Sequence, residues 1–125
     1  MSPNNASAGL IVNQTLYIGL TNGLVGHWTF DGKDVVDVTA YDRSGKGNNG
    51  ALSNGLTSRD VAIGKIGQAL NFKGLDQGIN AGSDASLDDL DTKGGLTWSM
   101  WIFPRTLGES DNGRIFAKEF GVTSS

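Results

Sequence analysis

Turn-forming residues occur along almost the whole chain and leave little room for long helices. The 125 residues include 19 glycines, 11 aspartates and 10 asparagines, against only two glutamates. Glycine, aspartate and asparagine favour tight turns and are poor helix formers. No amphipathic pattern of even three helical turns is present. We therefore predict an all-β protein in which short strands alternate with loops.

Charge and residue content argue against several functional classes. The net charge is −3 and the ten lysines and arginines are scattered, whereas a nucleic-acid partner requires a concentrated basic face. No run approaches the about 18 consecutive apolar residues of a membrane span. The absence of cysteine excludes disulfides and thiol catalysis, and a single histidine, His27, excludes a two-histidine metal site. We interpret His27 as a surface or edge residue rather than a catalyst.

Five segments have the composition or alternation of strands, and they cover residues 24–31, 68–72, 78–81, 96–103 and 114–118. Residues 96–103 carry large side chains on both faces, which predicts a central strand covered on two sides. Trp98 and Trp101 would then face opposite ways, so that one is buried in the core. The other would lie under a second layer or stack against a sugar ring.

Two further segments lie outside these strands. Residues 84–90 predict one helical turn capped by Ser83 or Asp84. Residues 10–20 are apolar but interrupted by Asn13, Gln14 and Thr15, which favours a strand over a signal sequence. We assign residues 1–20 to a leader strand or linker.

The loop at residues 42–50 contains two patterns that resemble known binding motifs. Residues 45–50 match G-x-G-x-x-G, but a dinucleotide site needs a strand before it and a helix after it. Neither is predicted here, so the glycines indicate a tight loop. The oxygen-bearing side chains of residues 42–48 could bind calcium or form a solvated turn. The helix–loop–helix calcium pattern fails because its twelfth position is Ser53 rather than an acid.

Several motifs follow one another in the order found in a known family of modules. They are GLVGHWTFD at residues 23–31, DRSGKGNNG at 42–50, GKIGQALNFKG at 64–74, LTWSMWIFP at 96–104 and RIFAK at 114–118. Together they resemble the laminin G-like, concanavalin A-like jelly-roll modules of bacterial and archaeal surface proteins, over residues 21 to 120. One departure is Gln77-Gly78, where the family usually has D-Y.

The resemblance implies an antiparallel two-sheet jelly-roll sandwich over residues 21–125. Family modules continue with further strands after the motif at residues 114–118, so we expect this chain to be the N-terminal part of a module truncated at its C-terminus. A jelly roll pairs strands that are distant in sequence. The early strands would therefore expose edges, and self-association through those edges is one expected consequence. A shortened sandwich that is complete in itself is the alternative.

The resemblance also implies a function and a metal. We expect a non-catalytic recognition or adhesion module, extracellular or on the cell surface, that binds carbohydrate or a surface protein. The motif positions imply a structural calcium at Asp42 and Asn48, with Asp76 in a neighbouring turn, and they identify no ligand-binding residues. A structural spacer domain without a ligand is the main alternative. The third alternative is a fragment of a concanavalin A-like glucanase. Such enzymes carry E-x-D-x-E or E-x-D-x-x-E, which these residues lack because their only glutamates are Glu109 and Glu119, so the motif would have to lie in a further segment.

Overall fold

Short strands in two antiparallel sheets dominate the computed structural model, which describes residues 21–74, 76–90, 94–108 and 113–118. The strands are β1 (Val35–Val36), β2 (Thr39–Ala40), β3 (Gly50–Leu52), β4 (Val61–Ile63), β5 (Gln68–Leu70) and β6 (Ile79–Asn80). A 3₁₀ turn at Ser58–Asp60 and one α-helical turn, α1 (Ala85–Asp88), complete the elements of these ranges. The described part of the chain is therefore all-β with little helix, as its turn-rich composition predicts.

The first sheet has the strand order β1-β2-β3-β6, and every pairing in it is antiparallel. Gly50 begins β3 opposite Ala40 of β2. A Cβ atom at Gly50 would lie 2.4 Å from Cγ2 of Ile79, well inside van der Waals contact. The side chain of Ile79 thus packs directly on the glycine backbone, which is why this position carries no side chain.

The hydrophobic core lies against the first sheet and is small. Its buried members are Val35, Ala40, Leu52 and Leu56. Partly buried side chains surround them, namely Trp28, Phe30, Val61, Leu70 and Ile79. Residues from both sheets therefore contribute to one core, although most strands are only two or three residues long.

The second sheet pairs β4 with β5 and follows directly from the 3₁₀ turn. Thr57 and Asp60 form a capping box at the start of that turn, with the Asp60 carboxylate accepting a hydrogen bond from the Thr57 N–H at 2.9 Å. Two reciprocal hydrogen bonds connect the loop at residues 31–32 to β5. Gln68 N–H donates to Asp31 Oδ1 at 2.9 Å, and Gly32 N–H donates to Gln68 Oε1 at 2.7 Å.

Several predicted elements are confirmed. The predicted strands at 68–72 and 78–81 are present as β5 and β6. The predicted helical turn is α1, and Asp84 is its N-cap because its carboxylate accepts from the Ser86 N–H at 2.9 Å. The leader strand or linker predicted for residues 1–20 lies outside the described residues.

The predicted strand at residues 24–31 is wrong. Phe30 has a φ of 58°, a left-handed conformation that interrupts any extended run. Residues 25–28 instead lie along the 42–48 loop, where the Arg43 N–H donates to the His27 carbonyl at 2.7 Å. Trp28 and Phe30 still pack against the core, as their alternation predicts.

The predicted central strand at residues 96–103 is also wrong, as is the strand at 114–118, because neither segment belongs to a sheet. Trp98 is 40% exposed, Trp101 70% and Phe103 88%, so neither tryptophan is buried. The physical reason is the absence of a neighbouring strand among the described residues. Trp98 has a ring contact with Phe116.

Candidate functional site

The loop at residues 42–49 is organised around the carboxylate of Asp42. Its Oδ1 accepts from the N–H groups of His27 and Ser44, both at 2.8 Å. Its Oδ2 accepts from the Ser44 hydroxyl at 2.6 Å and from the Asn48 N–H at 3.0 Å. Partial burial disfavours the charged carboxylate, but these hydrogen bonds outweigh it and hold the pKa of Asp42 below its ordinary value.

Asn48 joins this loop to two other segments of the chain. Its side chain is almost fully buried, and Nδ2 donates to the Val25 carbonyl at 2.7 Å and to Ser86 Oγ at 2.9 Å. Its own carbonyl accepts from the indole N–H of Trp28 at 2.9 Å. The Asn48 side chain therefore connects the loop to helix α1 and adds a further bond to residues 25–28, which Asp42 and Arg43 also hold through His27.

The three residues implied as calcium ligands do not form one cluster of free oxygen atoms. Both oxygens of Asp42 already accept hydrogen bonds, and the Asn48 side chain acts as a donor. Asp76 lies in a different turn, where its carbonyl accepts from Asn54 Nδ2 at 2.5 Å. Calcium requires oxygen acceptors directed at a common point, whereas donors converge on Asp42. Calcium at these residues stays a prediction from the resemblance.

Within the described ranges, no three histidine, cysteine, aspartate or glutamate side chains lie together as a candidate metal cluster. The G-x-G-x-x-G string forms a loop, in which Gly45 and Gly47 have φ values of 87° and 77°. It leads into strand β3 rather than a helix, as expected for a tight turn.

Two further carboxylates are buried, and sequence reasoning missed both. Asp34 accepts hydrogen bonds from the Thr29 hydroxyl at 2.5 Å and from Arg43 Nε at 2.9 Å. These contacts hold the pKa of Asp34 below its ordinary value, and the contact with Arg43 has the larger effect of the two. Asp60 pairs with Lys73 Nζ at 2.5 Å, and that contact is the largest cause of its lowered pKa. The only sequence signal was the Thr-x-x-Asp spacing of the capping box at residues 57–60.

A polar cavity of about 280 Å³ lies beside the β1–β2 turn. It is lined by Asp37, Val38, Thr57, Ser58 and Arg59. The Ser58 N–H donates to the Asp37 carbonyl at 2.7 Å, which fixes the two walls relative to each other. Val38 is 51% exposed and supplies an apolar surface among hydroxyl and charged groups. None of these residues was selected as a candidate from the sequence.

A second, apolar cavity of about 320 Å³ lies between α1 and the chain beyond it. Leucine and tryptophan side chains form most of its wall, at positions 87, 90, 96 and 98. Asp88 and Lys118 also line it and form an ion pair with each other. The cavity thus has one charged side and an apolar floor.

Comparisons of the chain with protein-family models, with curated proteins and with solved structures find no match in any of the three. Among the helices of the described ranges, none is long and apolar enough to cross a membrane. The functional proposal therefore rests on the sequence motifs and on the geometry given above.

Proposed function

We propose that this chain is a non-catalytic recognition module of the laminin G-like, jelly-roll type that binds carbohydrate outside the cell or on its surface. The polar cavity beside the β1–β2 turn carries the proposal. The ordered motifs, the all-β architecture and the two antiparallel sheets support the jelly-roll assignment.

The cavity walls have the chemistry that a polyhydroxylated ligand needs. The Thr57 and Ser58 hydroxyls can both donate and accept, Asp37 accepts and Arg59 donates. Val38 provides the apolar surface on which the C–H face of a sugar ring can lie. Small-molecule sites combine apolar walls with a few fixed polar groups in this way.

The first experiment is a glycan array on the whole chain and on two variants. We expect the Arg59→Ala variant to lose the array signal, because this change removes the guanidinium from the cavity. Lys65→Ala is the matched control, since Lys65 is also an exposed cation but does not line the cavity. Equal signals for the two variants, or binding only to a surface protein, would refute carbohydrate binding at this cavity.

Calcium is tested separately by two thermal melting curves, one with about 1 mM calcium and one with a chelator. This calcium concentration lies in the range at which extracellular calcium modules bind. The resemblance predicts a higher melting temperature with calcium. An unchanged melting curve would contradict the calcium that the resemblance implies and would leave the carbohydrate proposal at the polar cavity unaffected.

A structural spacer domain with no ligand is the second candidate function. The observation that favours it is that the buried carboxylates of Asp34 and Asp60 serve the fold. Each forms an ion pair that joins two segments of the chain. A chain that binds no glycan and does not respond to calcium would support the spacer.

A further inference from the structure

The described residues contain three complete Asn–Gly pairs, at residues 22–23, 49–50 and 54–55. Asparagine side chains are chemically labile, because the backbone nitrogen of the next residue can attack the side-chain carbonyl. Glycine favours this attack, since it has no Cβ atom and its backbone reaches conformations that other residues avoid. The three pairs share this local chemistry, so their surroundings in the fold decide which of them reacts.

Asn22 lies in an exposed turn, and its side chain has no hydrogen-bond partner in the described part of the chain. The Leu24 N–H donates to the Thr21 carbonyl at 3.2 Å and closes this turn. Gly23 has a φ of 77°, and its N–H donates to no group of the described residues. A Cβ atom at Gly23 would have no atom beyond the adjacent residues within 4 Å. Both reacting groups are therefore unengaged, and the space around them is open.

Asn49 and Asn54 are held by contacts that oppose the same attack. Asn49 Oδ1 accepts from the Asp42 N–H at 3.0 Å. The nitrogen that would attack Asn49 belongs to Gly50, which is buried in strand β3. Asn54 Nδ2 donates to the Asp76 carbonyl at 2.5 Å. Ring closure at either asparagine must first break these contacts, whereas the Asn22 side chain has no such contact to break.

We propose that Asn22 is a site of spontaneous deamidation in the folded protein and that the fold protects Asn49 and Asn54. The Gly23 nitrogen forms a bond to Cγ of Asn22, the bond from Cγ to Nδ2 breaks, and ammonia leaves with the proton of the Gly23 N–H. Water is the co-reactant that opens the resulting succinimide ring. Attack of water on the side-chain carbonyl gives aspartate, and attack on the main-chain carbonyl gives isoaspartate.

The reaction changes both the charge and the backbone of the turn. Nothing is oxidised or reduced, and the new carboxylate adds one negative charge to the net charge of −3. Isoaspartate also adds one carbon to the backbone inside the turn that Leu24 and Thr21 close. This modification is independent of the polar cavity and of the proposed carbohydrate binding.

The first test follows the three sites in one sample, by mass-spectrometric peptide mapping of the full chain after incubation at mildly alkaline pH. In the folded chain we expect Asn22 to convert faster than Asn49 and Asn54 by a factor on the order of tenfold or more, because the other two must first open local hydrogen bonds. In urea the three rates should become similar, because only the local sequence then matters. Equal rates in the folded chain, or a difference that urea leaves unchanged, would overturn the proposal.

The second test changes the attacking residue. Gly23→Ala places a methyl group beside the attacking nitrogen and should slow the conversion of Asn22 severalfold, in the folded chain and in urea. Gly45→Ala is the matched control, because Gly45 is also left-handed, with a φ of 87° and open surroundings, but follows a serine. It should leave the rate at Asn22 unchanged. Equal rates in the two variants, or aspartate without isoaspartate at position 22 of the original protein, would contradict attack by the Gly23 nitrogen.

Discussion

Replacing Asn48 is the sharpest test of how the 42–49 loop is held. Asn48→Ala removes the donor to the Val25 carbonyl and to Ser86 Oγ, but keeps the backbone bonds to Trp28 and Asp42. A neutral hydrogen bond contributes about 1 kcal/mol, and an acceptor left without a donor in a buried place costs about 1–3 kcal/mol. We therefore expect the free energy of unfolding to fall by about 2–3 kcal/mol.

The assay for this loss is urea denaturation at neutral pH. The slope of unfolding free energy against urea concentration should be the same for the variant and the original protein. Asn22→Ala is the control, because Asn22 is exposed in a turn and its replacement should change stability by less than about 0.5 kcal/mol. A loss below about 0.5 kcal/mol for Asn48→Ala as well would refute the role of this side chain as the link between the loop, residues 25–28 and α1.

Asn48→Asp separates the hydrogen-bonding role from a metal-binding role. The introduced carboxylate would face the Val25 carbonyl, an acceptor, so its charged form is disfavoured and its folded-state pKa is raised. The variant should thus be less stable than the original at neutral pH, and the difference should shrink as the pH falls below that raised pKa. If Asn48 is instead a calcium ligand, the added charge strengthens calcium binding. A variant stabilised by calcium at neutral pH would refute the hydrogen-bonding interpretation.

Two further predictions concern the core and the buried acid. Leu56 is fully buried, and Leu56→Ala should lower the free energy of unfolding in urea by about 3 kcal/mol. The control is Ile63→Ala, at a side chain that is 95% exposed, which should lower it by less than about 0.5 kcal/mol. Similar losses for the two variants would contradict the assignment of Leu56 to the core. The pKa of Asp34 is lowered in the folded chain, chiefly by Arg43 and then by Thr29. The ionised Asp34 therefore stabilises the fold at pH values above its unfolded pKa of about 3.9, and this stabilisation is lost as the pH falls through the folded pKa. Arg43→Gln moves that pKa back toward its ordinary value, so unfolding free energy should fall less steeply with decreasing pH below about 4; equal slopes would contradict this link.

Local sequence signals were reliable where the structure depends on neighbouring residues. The N-cap at Asp84 is an example, because its carboxylate bonds to an N–H only two residues away. The glycine-rich loop at residues 45–50 is another, since the left-handed glycines need no distant partner. The strands at 35–36, 50–52 and 61–63 were missed as strands because two or three residues are too short to show an alternating pattern.

Sequence signals failed where a distant partner or a single backbone angle decides the structure. The alternating apolar side chains of residues 24–31 do pack against the core, but the left-handed backbone conformation of Phe30 prevents a continuous strand. The pattern at 96–103 describes the side chains and cannot specify a neighbouring strand. Asp34 and Asp60 were missed because Arg43 and Lys73 reach them only in the folded chain. The residues that line the polar cavity carry no binding motif, since the capping-box spacing that begins at Thr57 indicates only the start of a helical turn.

The excess of aspartate over glutamate has a structural cause in the length of the strands. Strands of two or three residues provide few ladder hydrogen bonds, so other groups must satisfy the backbone of the intervening loops. Asp42 and Asp84 each accept from the N–H two residues ahead, at Ser44 and Ser86. An aspartate carboxylate reaches that N–H from its own position, whereas the additional methylene of glutamate carries the carboxylate past it. Aspartates thus replace part of the missing ladder, and this dependence on ionised carboxylates is why acid should weaken the loops before the core.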